Sequence, residues 1–286
     1  MKVAVIGGAG RMGRWLVGYF LRQGHKVVLS DIRHEEAKTV ARSTGVKLAR
    51  SNLEAVEDAD LSLFSTPIEV TAHVLEKLAP QFRRLSTVME ISSLKSSIVP
   101  VLRKISEREV RTLSVHPLFG PGVQKLAGEK IALIPVSDPA LELKLTRNLF
   151  PDAEMVVVDV EEHDRAMALT LSLPHFLNIA FASVIGDEDV IVLKKLGGTT
   201  FKLQLVLSES VMSEDPNLYA SIQMSNPYTD EYLRKLVSKA ETLRVQVAGK
   251  DVKEFSQFYK DVQSALSKDS DFAGAYRKMY QVLETL

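Results

Sequence analysis

Val3-Ala4-Val5-Ile6 is a fully apolar, mostly β-branched run that ends abruptly at glycine, the pattern of a strand buried on both faces of a parallel sheet. Residues 14–21 follow with the spacing of an amphipathic helix. The alternation then repeats. Strands are expected at 26–30, 60–65, 87–91, 111–115, 131–135 and 155–159, and helices at 35–44, 68–78, 97–105 and 139–150. Such alternation predicts an α/β domain with a doubly wound, mostly parallel sheet whose ligands sit at the carboxyl ends of its strands. Past Asp159 the strand signals stop. Residues 161–186 place Ala166, Leu169, Leu173, Phe176, Leu177 and Ala180 on one apolar stripe, interrupted by Pro174. Further helices are expected at 190–196, 200–212, 217–224, 230–247, 252–267 and 272–286. The chain therefore divides, on this reading, into an α/β domain over 1–160 and an all-helical domain over 161–286, with a substrate site expected between them.

The first strand runs into Gly7-Gly8-Ala9-Gly10-Arg11-Met12-Gly13. Gly8, Gly10 and Gly13 fit G-x-G-x-x-G between a strand and a helix, the context that makes it a Rossmann-type dinucleotide site. The helix N-terminus, with Arg11 and Met12 in its first turn, supplies N–H groups and partial positive charge to a pyrophosphate. The second strand ends in Asp31, 18 residues after Gly13, where an acid binds the ribose hydroxyls and repels a 2′-phosphate. NAD is the expected cofactor. Arg33 and His34 lie close enough to soften that preference, and NADP use stays open. Ser65-Thr66-Pro67, Ser92-Ser93-Leu94-Lys95 and His116-Pro117 all fall at carboxyl ends of expected strands, which aims them at the cofactor crevice.

Composition narrows the chemistry. The 286 residues contain no cysteine, which excludes thiolate catalysis and cysteine-ligated metal and suits a reducing cytoplasm. Acidic and basic residues balance at 36 each, so charge gives no reason to expect a nucleic-acid or membrane partner. The N-terminal segment lacks the apolar stretch of a signal peptide, and no apolar run was found that approaches the roughly 20 residues of a membrane span. No histidine or carboxylate group has metal-ligand spacing, so no metal is expected. Apolar faces in the helical half make a homodimer built on it an expectation.

Of the six histidines, His116 stands out. It follows the buried strand Leu113-Ser114-Val115 and precedes a loop rich in proline and glycine. Its position fits a proton-transfer group and a satisfied strand-end histidine equally well. His175 lies in the helical stripe beside Pro174, where a structural role is the commoner outcome and the broken helix favours a special site. His163-Asp164 reads as an N-terminal capping pair, structural or domain-coupling.

Several separated motifs resemble the prephenate dehydrogenase family of tyrosine biosynthesis, over about residues 2–265: GGAGRMGR, SSLK, HPLFGP, EHDRAMA, LPHF and EDPNLYASI. The resemblance implies NAD-dependent oxidative decarboxylation of prephenate to 4-hydroxyphenylpyruvate. It implies that His116 takes the proton of the ring hydroxyl and that Ser93 orients that hydroxyl. His175 would line the substrate pocket, and Lys95 would lie near cofactor and substrate. Where the family carries an arginine to grip a carboxylate, this chain has Lys202, which neutralises charge without a bidentate fork. Arogenate dehydrogenase, another two-domain hydroxyacid dehydrogenase and a non-catalytic NAD sensor are the alternatives. The hydroxyacid enzymes depend on a lysine where this chain has Glu161-Glu162-His163-Asp164.

Overall fold

The computed structural model describes residues 1–285. Two compact units form, one from Met1–Met167 with Ala220–Pro227 and one from Ala168–Tyr219 with Tyr228–Leu286; of the last expected helix, Leu286 lies outside the described residues.

The first unit is the expected α/β domain. Its elements are β1 (Lys2–Ile6), α1 (Arg11–Arg22), β2 (Lys26–Ser30), α2 (His34–Thr44), β3 (Lys47–Leu48), α3 (Asn52–Val56), β4 (Leu61–Phe64), α4 (Ile68–Leu78), β5 (Thr87–Glu90), α5 (Val99–Ser106), β6 (Arg111–Pro117), β7 (Lys130–Ile134), α6 (Pro139–Leu149), β8 (Glu154–Val157) and α7 (Val160–Met167). The strands form one sheet in the order β3-β2-β1-β4-β5-β6-β7-β8. All neighbours pair in parallel except β6 and β7. Strand order reverses between β1 and β4, which is the topological switch point where such sheets take their ligands. The apolar runs read as strands are buried on both faces: β1 packs Val3 and Val5 into one cluster with Leu16 and Phe20, and Ala4 and Ile6 into another with Phe64 and Leu75.

Two elements were missed, β3 and α3. A two-residue strand carries no periodicity, and α3 announces itself only by its cap, Ser51 Oγ accepting from Glu54 N–H at 3.2 Å. The boundary expected at residue 160 also moves. It falls inside the long helix, because α7 is anchored to the α/β unit by the buried side chains of His163 and Asp164.

The second unit is helical, with α8 (Leu173–Ile185), α9 (Val190–Leu196), α10 (Thr199–Met212), the first turn of α11 (Pro216–Ser225), α12 (Thr229–Ala248), α13 (Val252–Leu266) and α14 (Ala275–Leu283), the rest of α11 belonging to the first unit. Pro174 does not break the helix as expected. Residues Ala168–Ser172 wind as π-helix and Pro174 falls in the first turn of α8, where its missing N–H is tolerated. Helical backbone therefore runs over the 26 residues Val160–Ile185, apolar enough to cross a membrane by length and composition alone, contrary to the reading of the sequence. Within the unit, Asn178 of α8 is bound to Gln204 and Ser208 of α10 at 2.8 and 3.1 Å.

Candidate active site

The glycine loop is shaped by contacts that no side chain could share. Gly7 has φ +79°, and a Cβ there would stand 2.4 Å from the Ser65 carbonyl oxygen. The loops after β1 and β4 are thus in contact at the switch point. A Cβ on Gly13 would stand 2.3 Å from the Gly7 carbonyl oxygen, and one on Gly8 would meet the Leu29 side chain at 1.9 Å. Gly10 N–H closes the turn on Gly7 O at 3.1 Å, and no side chain caps α1. This cradle fits a dinucleotide pyrophosphate, with the backbone of Gly8–Gly13 to hold it and Arg11 and Met12 in the first turn of α1.

Asp31 lies one residue past β2 with its carboxylate turned back to that loop. It accepts from Ala9 N–H and from Arg33 N–H, both at 2.9 Å. The half-exposed Arg33 guanidinium pairs with it at 3.3 Å. Asp31 thus faces the glycine loop, and Arg33 stands beside it as the cation the sequence had suggested. Ser65, Thr66 and Pro67 follow β4, with Thr66 Oγ1 and Thr71 Oγ1 hydrogen-bonded at 2.7 Å.

β5 and β6 run parallel with Glu90 opposite Ser114, so Ser92–Ser93, just past β5, fall at the same sheet edge as His116, which is still within β6 and pairs with Ala132 of β7. His116 is only 6% exposed. Its Nδ1 lies 3.1 Å from His163 Nε2, and His163 Nδ1 lies 2.8 Å from Asp164 Oδ1. Asp164 in turn accepts from Lys95 N–H and Ser96 N–H, and from Ser96 Oγ. Burial pushes the His116 pKa well below 6.5, and the nearby Lys95 charge pushes it the same way. Burial alone would raise Asp164, but hydrogen bonds from His163 and Ser96 outweigh it and hold the carboxyl below its ordinary range.

The glycines of the loop after His116 are not what holds it, since a Cβ at Gly120 or Gly122 would meet nothing. Trp15 does that, donating from Nε1 to Val123 O at 2.8 Å and setting its ring edge against Phe119.

Two expectations need correcting. Lys95 cannot contact a substrate as placed: it is fully buried, and its Nζ donates to Glu90 Oε1 at 2.6 Å and to Val115 O at 2.7 Å. Glu90, equally buried, also accepts from Ser114 Oγ and from Ser92 N–H. The pair braces β5 and β6 beneath His116. Nor do His163 and Asp164 cap a helix. Asp159 does so, its Oδ1 accepting from Glu162 N–H at 2.9 Å. That arrangement was legible as Asp159-x-x-Glu162, a capping-box spacing. It would have left His163 and Asp164 unexplained and marked them for the site.

In the helical unit His175 is half-buried, with its ring edge-on to Tyr219 at 4.8 Å between centroids. Its Nδ1 is a buried atom without a hydrogen-bond partner, and burial lowers its pKa. Lys202 lies exposed on α10.

Comparison with known proteins decides the family. Residues 17–166 match the model described as prephenate dehydrogenase, nucleotide-binding domain, and residues 159–261 match that of prephenate dehydrogenase, dimerization domain. The chain belongs to the prephenate dehydrogenase family. A probable arogenate/prephenate dehydrogenase of Methanocaldococcus jannaschii is 25% identical over 96% of the chain, and a T-protein of Enterobacter agglomerans is 26% identical over 78%. The matched regions span 63% and 56% of those relatives' own lengths. Among solved structures, prephenate dehydrogenase from A. aeolicus in complex with hydroxyphenyl propionate and NAD+ superposes with a TM-score of 0.75 at 21% identity, covering 94% of this chain and 98% of that one. The shared fold is therefore a Rossmann-type domain followed by a helical one.

Proposed function

We propose that the chain catalyses the NAD-dependent oxidative decarboxylation of prephenate to 4-hydroxyphenylpyruvate, as a cytoplasmic homodimer. One observation carries the reading. Four consecutive strands, β1, β4, β5 and β6, deliver the glycine cradle, Ser65–Thr66, Ser92–Ser93 and His116 to one sheet edge. Three strand spacings are roughly 14 Å, a reach suited to a dinucleotide laid across them with its reactive end towards His116.

Bound NAD supplies the hydride acceptor. The protein's part is orientation and one base. His116 receives the proton of the ring hydroxyl as the alcohol carbon is oxidised, and Ser93 orients that hydroxyl. The ring carboxylate leaves as carbon dioxide and its bonding electrons complete the aromatic ring. Orientation can contribute about 7–11 kcal/mol of barrier lowering, and aromatisation makes the step irreversible. His175 and Lys202 are assigned to the substrate, Lys202 as a counter-charge to a carboxylate. The acid at Asp31 supports NAD over NADP. The printed name of the Methanocaldococcus relative covers arogenate too, which makes arogenate the second reading.

The test is NADH formation from prephenate and NAD, with arogenate and NADP in parallel. Turnover with prephenate and NAD is expected. Turnover with arogenate alone would keep the mechanism and change the substrate, and silence with both despite measurable NAD binding would overturn the reading.

Large apolar side chains exposed in the helical unit, among them Ile191, Leu196 and Val184, each at least 69% exposed, support the dimer. Light scattering is expected to give twice the chain mass of 31.7 kDa; the chain mass itself would remove the dimer.

A further inference from the structure

We propose that His163 and Asp164 are positioning residues that fix His116 in the Nδ1–H tautomer, leaving the Nε2 lone pair to receive the substrate's proton. The proposal rests on the reading of His116 as the base, and it concerns two residues whose sequence pattern had suggested a capping pair with a structural or domain-coupling role.

Every link follows from which atoms can donate. The Asp164 carboxylate is surrounded by donors: Lys95 N–H at 3.0 Å, Ser96 N–H at 2.9 Å and the Ser96 hydroxyl. An ionised carboxylate only accepts, so His163 Nδ1, at 2.8 Å, carries the proton of that bond. A neutral imidazole protonated at Nδ1 has a lone pair at Nε2. That atom lies 3.1 Å from His116 Nδ1, which must therefore be the donor. His116 is left with its lone pair on Nε2. The ring planes stand 75° apart, which excludes stacking and leaves the 3.1 Å nitrogen–nitrogen contact as a hydrogen bond.

The relay is rigidly mounted. His163 and Asp164 are buried at 2% and 0% exposure. The Asp164 backbone carbonyl accepts from the buried Asn226 side chain at 2.7 Å, and Asp159 caps the start of the helix. The opposite tautomer at His116 would set two acceptors against each other, unless His163 took a second proton at Nε2. Such an arrangement in a buried site is disfavoured because neither lone pair has water to turn to.

The direct test reads the proton itself. The full chain, labelled with 15N-histidine and held at mildly alkaline pH, is examined by two-bond 1H–15N correlation, with the His116 signals identified by their loss in His116→Asn. Protonation of His116 at Nδ1 is expected; protonation at Nε2 would overturn the proposal. No substrate is needed, so a chain that turns over neither prephenate nor arogenate would defeat the assigned reaction without touching this result.

Asp164→Asn can present an N–H to His163 and reverse every bond in the relay. Its expected signature is a kcat lowered roughly a hundredfold or more at nearly unchanged KM for NAD, together with a switch of His116 to the Nε2–H form. Lost activity with His116 still protonated at Nδ1 would count against the relay. Should that variant fail to fold, since Asp164 also holds Lys95 and Ser96, His163→Phe keeps the ring volume and removes both nitrogens. Wild-type kcat in a folded His163→Phe chain would overturn the proposal.

Discussion

His116→Asn is expected to lower kcat by roughly 10²–10⁴, the range a positioned general base contributes, while the KM for NAD stays close to that of the parent chain. The split follows from geometry. His116 lies near the carboxyl end of β6, three strands away from the glycine cradle after β1, so its loss should affect the reacting hydroxyl and spare the pyrophosphate site. Steady-state NADH formation measures both constants, and equal damage to both would defeat the assignment.

The same residue sets a pH dependence of stability. Its folded pKa lies well below 6.5 because burial, then the charge of Lys95, disfavours the imidazolium. In the unfolded chain a histidine takes up its proton near pH 6.5. Between those two values the unfolded state binds more protons, so stability rises with pH there. The contribution is complete above about pH 6.5 and is lost as the pH falls towards the folded pKa. Denaturant unfolding of His116→Asn should show a shallower acid decline than the parent, and an identical decline would mean the imidazole is not buried neutral.

Lys95→Met is expected to destabilise the chain by about 3–5 kcal/mol, because it strands the Glu90 carboxylate in the interior without its counter-charge. At about 2–4 °C per kcal/mol for a chain of this size, Tm should fall by roughly 10 °C. Both partners are fully buried and their charged atoms lie 2.6 Å apart, so water cannot compensate the survivor. Glu90→Gln/Lys95→Met should recover much of the loss, since the amide oxygen can still accept from Ser92 N–H while the amide N–H donates to Ser114 Oγ, a hydroxyl that can accept as well as donate. A single Lys95→Met with parental Tm and altered KM for substrate would restore the role that the sequence had suggested for this lysine and remove the structural one.

These two experiments bear on opposite kinds of residue, and the difference shows what could be read in advance. The doubly wound sheet was legible because its strands are buried on both faces. Burial of that kind demands continuous apolar runs such as Val3–Ile6, ended by glycine, and Ile131–Ile134, ended by proline. The cofactor cradle was legible for a steric reason: at Gly7 and Gly13 a Cβ would stand under 2.5 Å from a backbone oxygen, so the glycine spacing is itself the geometry. Asp31 and His116 were legible from their place at strand ends. The family could be named from its motifs, and the domain matches agree with it.

What the sequence could not convey is where side chains meet across the sheet. Lys95 looked available for a substrate because a lysine is ordinarily solvated. Only the pairing of β5 with β6 puts Glu90 and Ser114 opposite each other and shows the ammonium enclosed between them and Val115. Glu90 within the apolar run Val88-Met89-Glu90-Ile91 was the one local sign, since a charge in a buried strand needs a partner. His163 and Asp164 lie 47 and 48 positions beyond His116 in the chain, and their contact with it depends on how α7 packs. Local pattern follows from backbone geometry and burial, which repeat every two or 3.6 residues. The direction of a proton between two imidazoles depends on a single distance, and tertiary packing alone decides it.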